Sequence, residues 1–115
     1  MTIDRNYRCM VVKPDDFDDF WEGVLTDVAC VDLDPVMEKD PLRSNEDVDV
    51  YQVFFTSIDQ VRISAWYSLP KNPNDKLPAM VQLPGYQSDP PIPRDWAAKG
   101  YACISVNPRG KVRSR

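Results

Sequence analysis

Histidine is missing from this chain, and glycine is scarce, at four residues in 115. A Ser-His-Asp triad needs an imidazole as general base, so these residues alone cannot assemble one. The same lack excludes HExxH and histidine-rich zinc sites. Cysteine is sparse too: Cys9, Cys30 and Cys103 make an odd count without CxxC spacing. Neither a disulfide framework nor a cysteine metal site follows from that pattern. The acidic stretch 31–47 lacks the DxDxDG order of a calcium loop. No metal and no cofactor are therefore expected. No apolar run approaches the roughly 18 residues of a membrane span. Met1 to Val12 carries charges and lacks the apolar core of a signal peptide. These absences read as a soluble, cytoplasmic chain without a membrane partner.

What is present can build a core. Hydrophobic residues make up 43% and aromatics 10%, which argues against wholesale disorder. The length suits one small domain. Eleven prolines, mostly between apolar runs, indicate short elements joined by stiff turns. The net charge of −4 is unevenly distributed. Fifteen Asp/Glu against five Lys/Arg fall in residues 1–60, and three against nine in residues 61–115. Each half therefore expects the other, or further chain, as a neighbour.

Periodicity supplies the elements. Pro14 sits where a helix can open, because the first-turn N–H it lacks has no intrahelical partner. Asp15, Asp16, Asp18 and Asp19 follow, at the positive end of the helix dipole. Phe17, Phe20, Trp21, Val24, Leu25 and Val28 recur at steps of three and four. That stripe predicts an amphipathic helix packed on the rest of the chain. Residues 31–47, rich in Asp, Glu and Pro, read as a solvated connecting loop. Val48–Thr56 and Val61–Leu69 are rich in β-branched and aromatic residues and predict two strands. Ser57 to Gln60 between them is short enough for a hairpin. Pro78–Leu83 and Tyr101–Val106 are unalternated apolar runs. They flank a short helix, Arg94–Lys99, that ends at Gly100, a suitable C′ residue. This order predicts a βαβ unit in a sheet covered on both faces. Cys103 lies in the second run and reads as a small buried hydrophobe.

The motifs then fall into a familiar order. Pro14-Asp15-Asp16-Phe17-Asp18-Asp19-Phe20-Trp21 resembles the helical opening of the acetyl xylan esterase / cephalosporin C deacetylase family. Val53-Phe54-Phe55-Thr56 and Val61-Arg62-Ile63-Ser64-Ala65-Trp66 resemble its first two strands. Pro78 to Tyr86 resembles its strand ending in a Gly-Tyr turn, and Asp95-Trp96 through Arg109-Gly110 the stretch after it. The likeness runs from about residue 12 to residue 110.

The resemblance implies an α/β class fold. Residues 1–115 would form the N-terminal part of an α/β-hydrolase sheet, incomplete: helix, antiparallel hairpin, then βαβ. It implies a fragment of a serine carboxylesterase that deacetylates small carbohydrate or related esters. The serine of such enzymes sits in a GxSxG elbow, and no serine here has those flanking glycines. Enzyme status is thus open: nucleophile, acid and base are not in this chain, which would be inactive alone. One catalytic element does fall within it. By resemblance, the backbone N–H of Tyr86 is an oxyanion-hole donor, with Gly85 and Gln87 as substrate-binding residues. Gly85 would allow the sharp turn that aims the donor. A small acetylated substrate is the expected partner only when the rest of the domain is present. Asn107 and Val112 depart from the family's usual Asp and Gly and imply a divergent branch. The alternative is a non-catalytic binding or interaction module derived from an α/β-hydrolase; a distant peptidase or lyase is a weaker third. The basic end, Arg109 to Arg115, has four bases and no aromatic platform on an acidic chain, so no nucleic-acid partner is expected. The oligomeric state is not legible.

Overall fold

The computed structural model describes residues 6, 8–73, 75–86, 88–111, 113 and 114. Two compact units, Met1–Cys30 and Val31–Arg115, are taken separately.

The first unit holds helix α1, Phe17–Ala29. It opens immediately after the acidic pair Asp15-Asp16, three residues beyond Pro14, with Asp16 as its N-cap. Pro14 O accepts from Phe17 N at 3.2 Å and Asp16 O from Phe20 N at 2.9 Å. Asp18 and Asp19 occupy the first turn, at the positive end of the dipole. The helix is where the periodicity puts it, and within its own unit the stripe finds no cover. No residue of α1 is buried. Phe20 is 60% exposed and Trp21 47%, and Phe17, Leu25 and Val28 are also open. The Trp21 ring meets those of Phe17 and Phe20, with centroids 6.2 and 5.5 Å apart. Amphipathic spacing encodes a need for cover; it does not carry the covering surface with it.

The second unit is a five-stranded sheet in the order β1-β2-β3-β5-β4, with β1 Val36–Lys39, β2 Val48–Thr56, β3 Arg62–Pro70, β4 Ala79–Gln82 and β5 Ala102–Asn107. β2 and β3 form the predicted hairpin, in register from Val48↔Pro70 to Thr56↔Arg62. Its turn closes through Ser57 N to Val61 O, 2.8 Å, with Asp59 and Gln60 both at φ 58°. Positive φ at both central residues matches the right-handed twist of the strands. β4 and β5 pair in parallel across helix α2, Arg94–Ala97, so the βαβ unit is present. β5 also pairs antiparallel with β3, which makes the sheet mixed.

α2 ends as expected. Gly100 adopts φ 93°. Tyr101 N donates to Trp96 O and Gly100 N to Ala97 O, while the Trp96 and Tyr101 rings meet edge-on at 5.9 Å. That is a Schellman stop with its hydrophobic contact.

Two expectations need correction. Residues 31–47 are not simply a solvated loop: Val36–Lys39 is a strand at the sheet edge, paired from Val36↔Phe54 to Lys39↔Tyr51. Its four residues are all exposed, so no core pattern marked it; β2 recruits it through backbone hydrogen bonds. Asp40, only 7% exposed, anchors the following turn. Its carboxylate accepts from Arg43 Nη1 at 2.7 Å, Arg43 N at 3.1 Å and Gln52 Nε2 at 3.3 Å.

Nor is the sheet buried evenly on its two faces. Residues opposite one another across the register share a face. Val48, Val50 and Trp66 lie on the face that meets α2 and form the core with Ala97, flanked by Ile92. On the opposite face Ile63 and Ala65 are buried, but Tyr51, Val53, Phe55, Tyr67, Leu69, Ile104 and Val106 are only half-buried, and Val81 is exposed.

Candidate functional site

In an open α/β sheet, ligands bind in the crevice beyond the carboxyl ends of the parallel strands. Here those ends are Gln82 of β4 and Asn107 of β5. The loops that follow bound a crevice of about 440 Å³ lined by Pro84, Gly85, Tyr86, Pro108 and Lys111. Two of the three residues singled out from the sequence, Gly85 and Tyr86, line it. Gln87 lies outside the described residues.

The turn after β4 is short and held mostly by itself. Ser88 N and Ser88 Oγ both donate to Gly85 O, at 3.3 and 3.0 Å. The Tyr86 side chain is 95% exposed. Its backbone N–H has no hydrogen-bond partner among the described residues. The conformational argument for Gly85 does not hold. Its φ is not in the left-handed region, and an added Cβ would meet Ser88 Oγ at 3.5 Å, an ordinary contact. Glycine here leaves the crevice wall low but is not demanded by the backbone.

The loop after β5 needs glycine more strictly. Lys111 N donates to Pro108 O at 3.2 Å, and Gly110 between them has φ 84°. Pro108-Arg109-Gly110-Lys111 is thus a type II turn with glycine at its third position. The chain then folds back. Ser114, almost fully buried, accepts from Ser64 N at 2.9 Å and donates to Asn107 O at 2.6 Å. Its hydroxyl bridges donor and acceptor at the end of the β3–β5 ladder. The basic end is engaged with the molecule: Arg109 pairs with Asp59 at 2.9 Å, Lys111 Nζ donates to Ser88 O at 3.2 Å, and Arg113 donates to Gln52 at 2.8 Å.

A second cavity, of about 270 Å³, adjoins the same loops and is lined in part by Ser64, Trp66, Asp89, Asn107 and Arg113. Arg43 and Arg113 both stand over the Trp66 ring, 5.0 and 4.3 Å from its centroid, within cation–π range. Sequence reading passed over this cluster, because nothing in the spacing of residues 43, 66 and 113 signals their meeting.

The described residues hold no cluster of three or more His, Cys, Asp or Glu suited to a metal ion. The three cysteines are unpaired; Cys9 and Cys30 are exposed and Cys103 is buried, its thiol pushed above the ordinary range by burial. No helix among the described residues is long and apolar enough to cross a membrane.

A mixed sheet with a βαβ unit and a crevice past its parallel strand ends is α/β in class and fits the arrangement expected of the N-terminal part of an α/β-hydrolase sheet. The model of the acetyl xylan esterase family matches residues 2–114, and the chain belongs to that family. Among solved structures it is similar to acetyl xylan esterase 1 from Thermoanaerobacterium sp. JW/SL YS485, with 27% identity over 89% of this chain and a TM-score of 0.80. The acetyl xylan esterase from Paenibacillus sp. R4 shares the fold at 24% identity over 92% of this chain, with a TM-score of 0.82. The matched regions are 33% and 35% of those two chains, so this chain spans about a third of their length.

Proposed function

We propose that this chain supplies the oxyanion-hole limb of a serine esterase acting on acetyl esters of small carbohydrates, and that it is inactive by itself. The observation that carries this reading is the unbonded N–H of Tyr86 in the turn after β4, beside the crevice at the strand ends. A donor fixed there before reaction can stabilise the negative charge that develops on a carbonyl oxygen. The chain's own residues contribute that donor and the crevice wall. They contribute no general base, since histidine is absent, and no elbow serine. Membership of the acetyl xylan esterase family supports the esterase class, and the names of the two similar structures motivate acetylated sugars as substrate.

The test uses an enzyme rebuilt by joining this chain to the serine- and histidine-bearing remainder of a family relative. Tyr86→Pro removes the N–H and is expected to lower kcat about 100-fold or more. Tyr86→Phe keeps the N–H and should change kcat far less. Equal damage from the two variants would show that the phenol acts, and the backbone assignment would fall.

A further inference from the structure

Gln52 of β2 stands directly opposite Trp66 of β3, so its side chain shares a face with the indole. Its amide has two unlike neighbours. Nε2 donates to Asp40 Oδ2 at 3.3 Å, and Oε1 accepts from Arg113 Nη2 at 2.8 Å. An ionised carboxylate only accepts, and a guanidinium only donates. Turned over, the amide would set oxygen against oxygen and N–H against N–H, so one orientation alone satisfies both neighbours. Asp40 also accepts from Arg43 Nη1 at 2.7 Å. Arg43 and Arg113 lie 5.0 and 4.3 Å from the centroid of the Trp66 ring. The side chains of Asp40, Gln52, Arg113, Trp66 and Arg43 thus close a ring of contacts. Arg113 has no ion pair among the described residues. With Trp66 it lines the cavity of about 270 Å³.

We infer that Gln52 is a positioning residue that relays the orientation of Asp40 to Arg113, and so fixes the Arg113 guanidinium over Trp66 at the cavity wall. The relay stands apart from the reading of Tyr86; neither depends on the other. An exposed arginine is otherwise spread over many rotamers, and holding it costs side-chain entropy. A charge-assisted hydrogen bond and a cation–π contact offset that cost together. Stacking alone lets a guanidinium slide and turn over a ring, whereas a fixed Gln52 Oε1 selects one position. Asp40 is what fixes Oε1. Without an acceptor on the far side of the amide, Gln52 can rotate and set N–H against Arg113. With Nη2 committed to Gln52, the other N–H groups of the planar guanidinium keep a set direction. The cavity wall then carries an oriented donor for an oxygen-bearing ligand rather than a mobile charge.

The test is NMR on the isotope-labelled 115-residue chain at low protein concentration. The Arg113 side-chain protons are expected upfield of their random-coil positions, through the ring current of the indole beneath them. Gln52→Leu removes the amide and should return those signals to random-coil positions. Asp40→Ala leaves Gln52 and Arg113 in place, yet should cut the displacement by about half or more, which a purely local role for Gln52 would not do. Gln52→Glu supplies an acceptor that needs no orienting, so combining it with Asp40→Ala should restore the displacement. The backbone amides of residues 63–69 in β3 report overall folding and should keep their dispersion in every variant. Where Asp40→Ala or Gln52→Leu collapses those amides, Asp40→Ser or Gln52→Met takes its place under the same criterion. Undisplaced Arg113 signals in the native chain, or a displacement that survives Gln52→Leu, would overturn the relay. So would an Asp40→Ala chain that keeps the native displacement, or one whose loss Gln52→Glu does not restore.

Discussion

Asp40 shows how one side chain organises a stretch that composition marks only as acidic. Burial favours its neutral form, but the hydrogen bonds from Gln52 and Arg43 outweigh burial and hold the carboxyl below the usual carboxylate range. Because the folded chain binds the proton less well than the unfolded one, ionised Asp40 adds stability above its unfolded value, about pH 4. That contribution is lost as pH falls through the lower, folded value. Asp40→Asn should therefore lower the urea midpoint at pH 7. The gap between native and variant chains should narrow steadily below about pH 4. A gap that stayed constant with pH would mean that the carboxylate's charge is irrelevant and only its hydrogen bonds matter.

At the scale of elements, two features lead to opposite expectations. The β2–β3 turn places Gln60, an exposed residue, at φ 58°. A non-glycine residue there costs roughly 1–2 kcal/mol of backbone strain. Gln60→Gly relieves it and loses roughly 0.5–1 kcal/mol to the greater freedom of the unfolded chain. The net expectation is a gain of about 0.5–1 kcal/mol, seen as a rise of a few degrees in the thermal midpoint. A fall would show that the turn prefers its present geometry for reasons outside the backbone. Helix α1 points the other way. Its stripe looks like core by periodicity, where Trp21→Ala would cost roughly 3–5 kcal/mol. With Trp21 47% exposed, the expected loss for this chain falls to about 1 kcal/mol or less, measurable by denaturant unfolding. A loss above about 3 kcal/mol would show that the stripe is buried in solution.

The molecule as a whole leaves apolar surface uncovered. β4 is an edge strand, paired on one side only among the described residues, and Val81 and Leu83 along it are exposed. Neither charge nor bulge guards it, although prolines flank it at Pro78 and Pro84. Edges of this kind template pairing with other chains, and exposed apolar patches add to the tendency. The purified chain is expected to self-associate in a concentration-dependent manner, as read by light scattering. It should also show weak amide protection in residues 79–82. A monodisperse monomer with strong protection there would indicate a self-sufficient domain and favour a binding module over a limb of an esterase.

Much of this arrangement was legible in the residues. The spacing of Phe17, Phe20, Trp21 and Leu25 determined a helix, because side chains three and four apart share a face whatever surrounds them. Val48–Thr56 and Val61–Leu69 determined a hairpin, and Gly100 the end of α2, because turn and cap geometry are local. Motif order identified the family, which the family match bears out. Strand β1 was invisible, since four exposed residues carry no burial pattern and pairing depends on a neighbour distant in sequence. The exposure of the α1 stripe within its own unit could not be read either, because amphipathicity states what a face needs but not where its cover lies. The convergence of Trp66 with Arg43 and Arg113, the bond from Ser64 to Ser114 and the reach of Lys111 to Ser88 all join residues at least 23 positions apart. Only the packed sheet brings them together, since local spacing holds no record of contacts made through the third dimension.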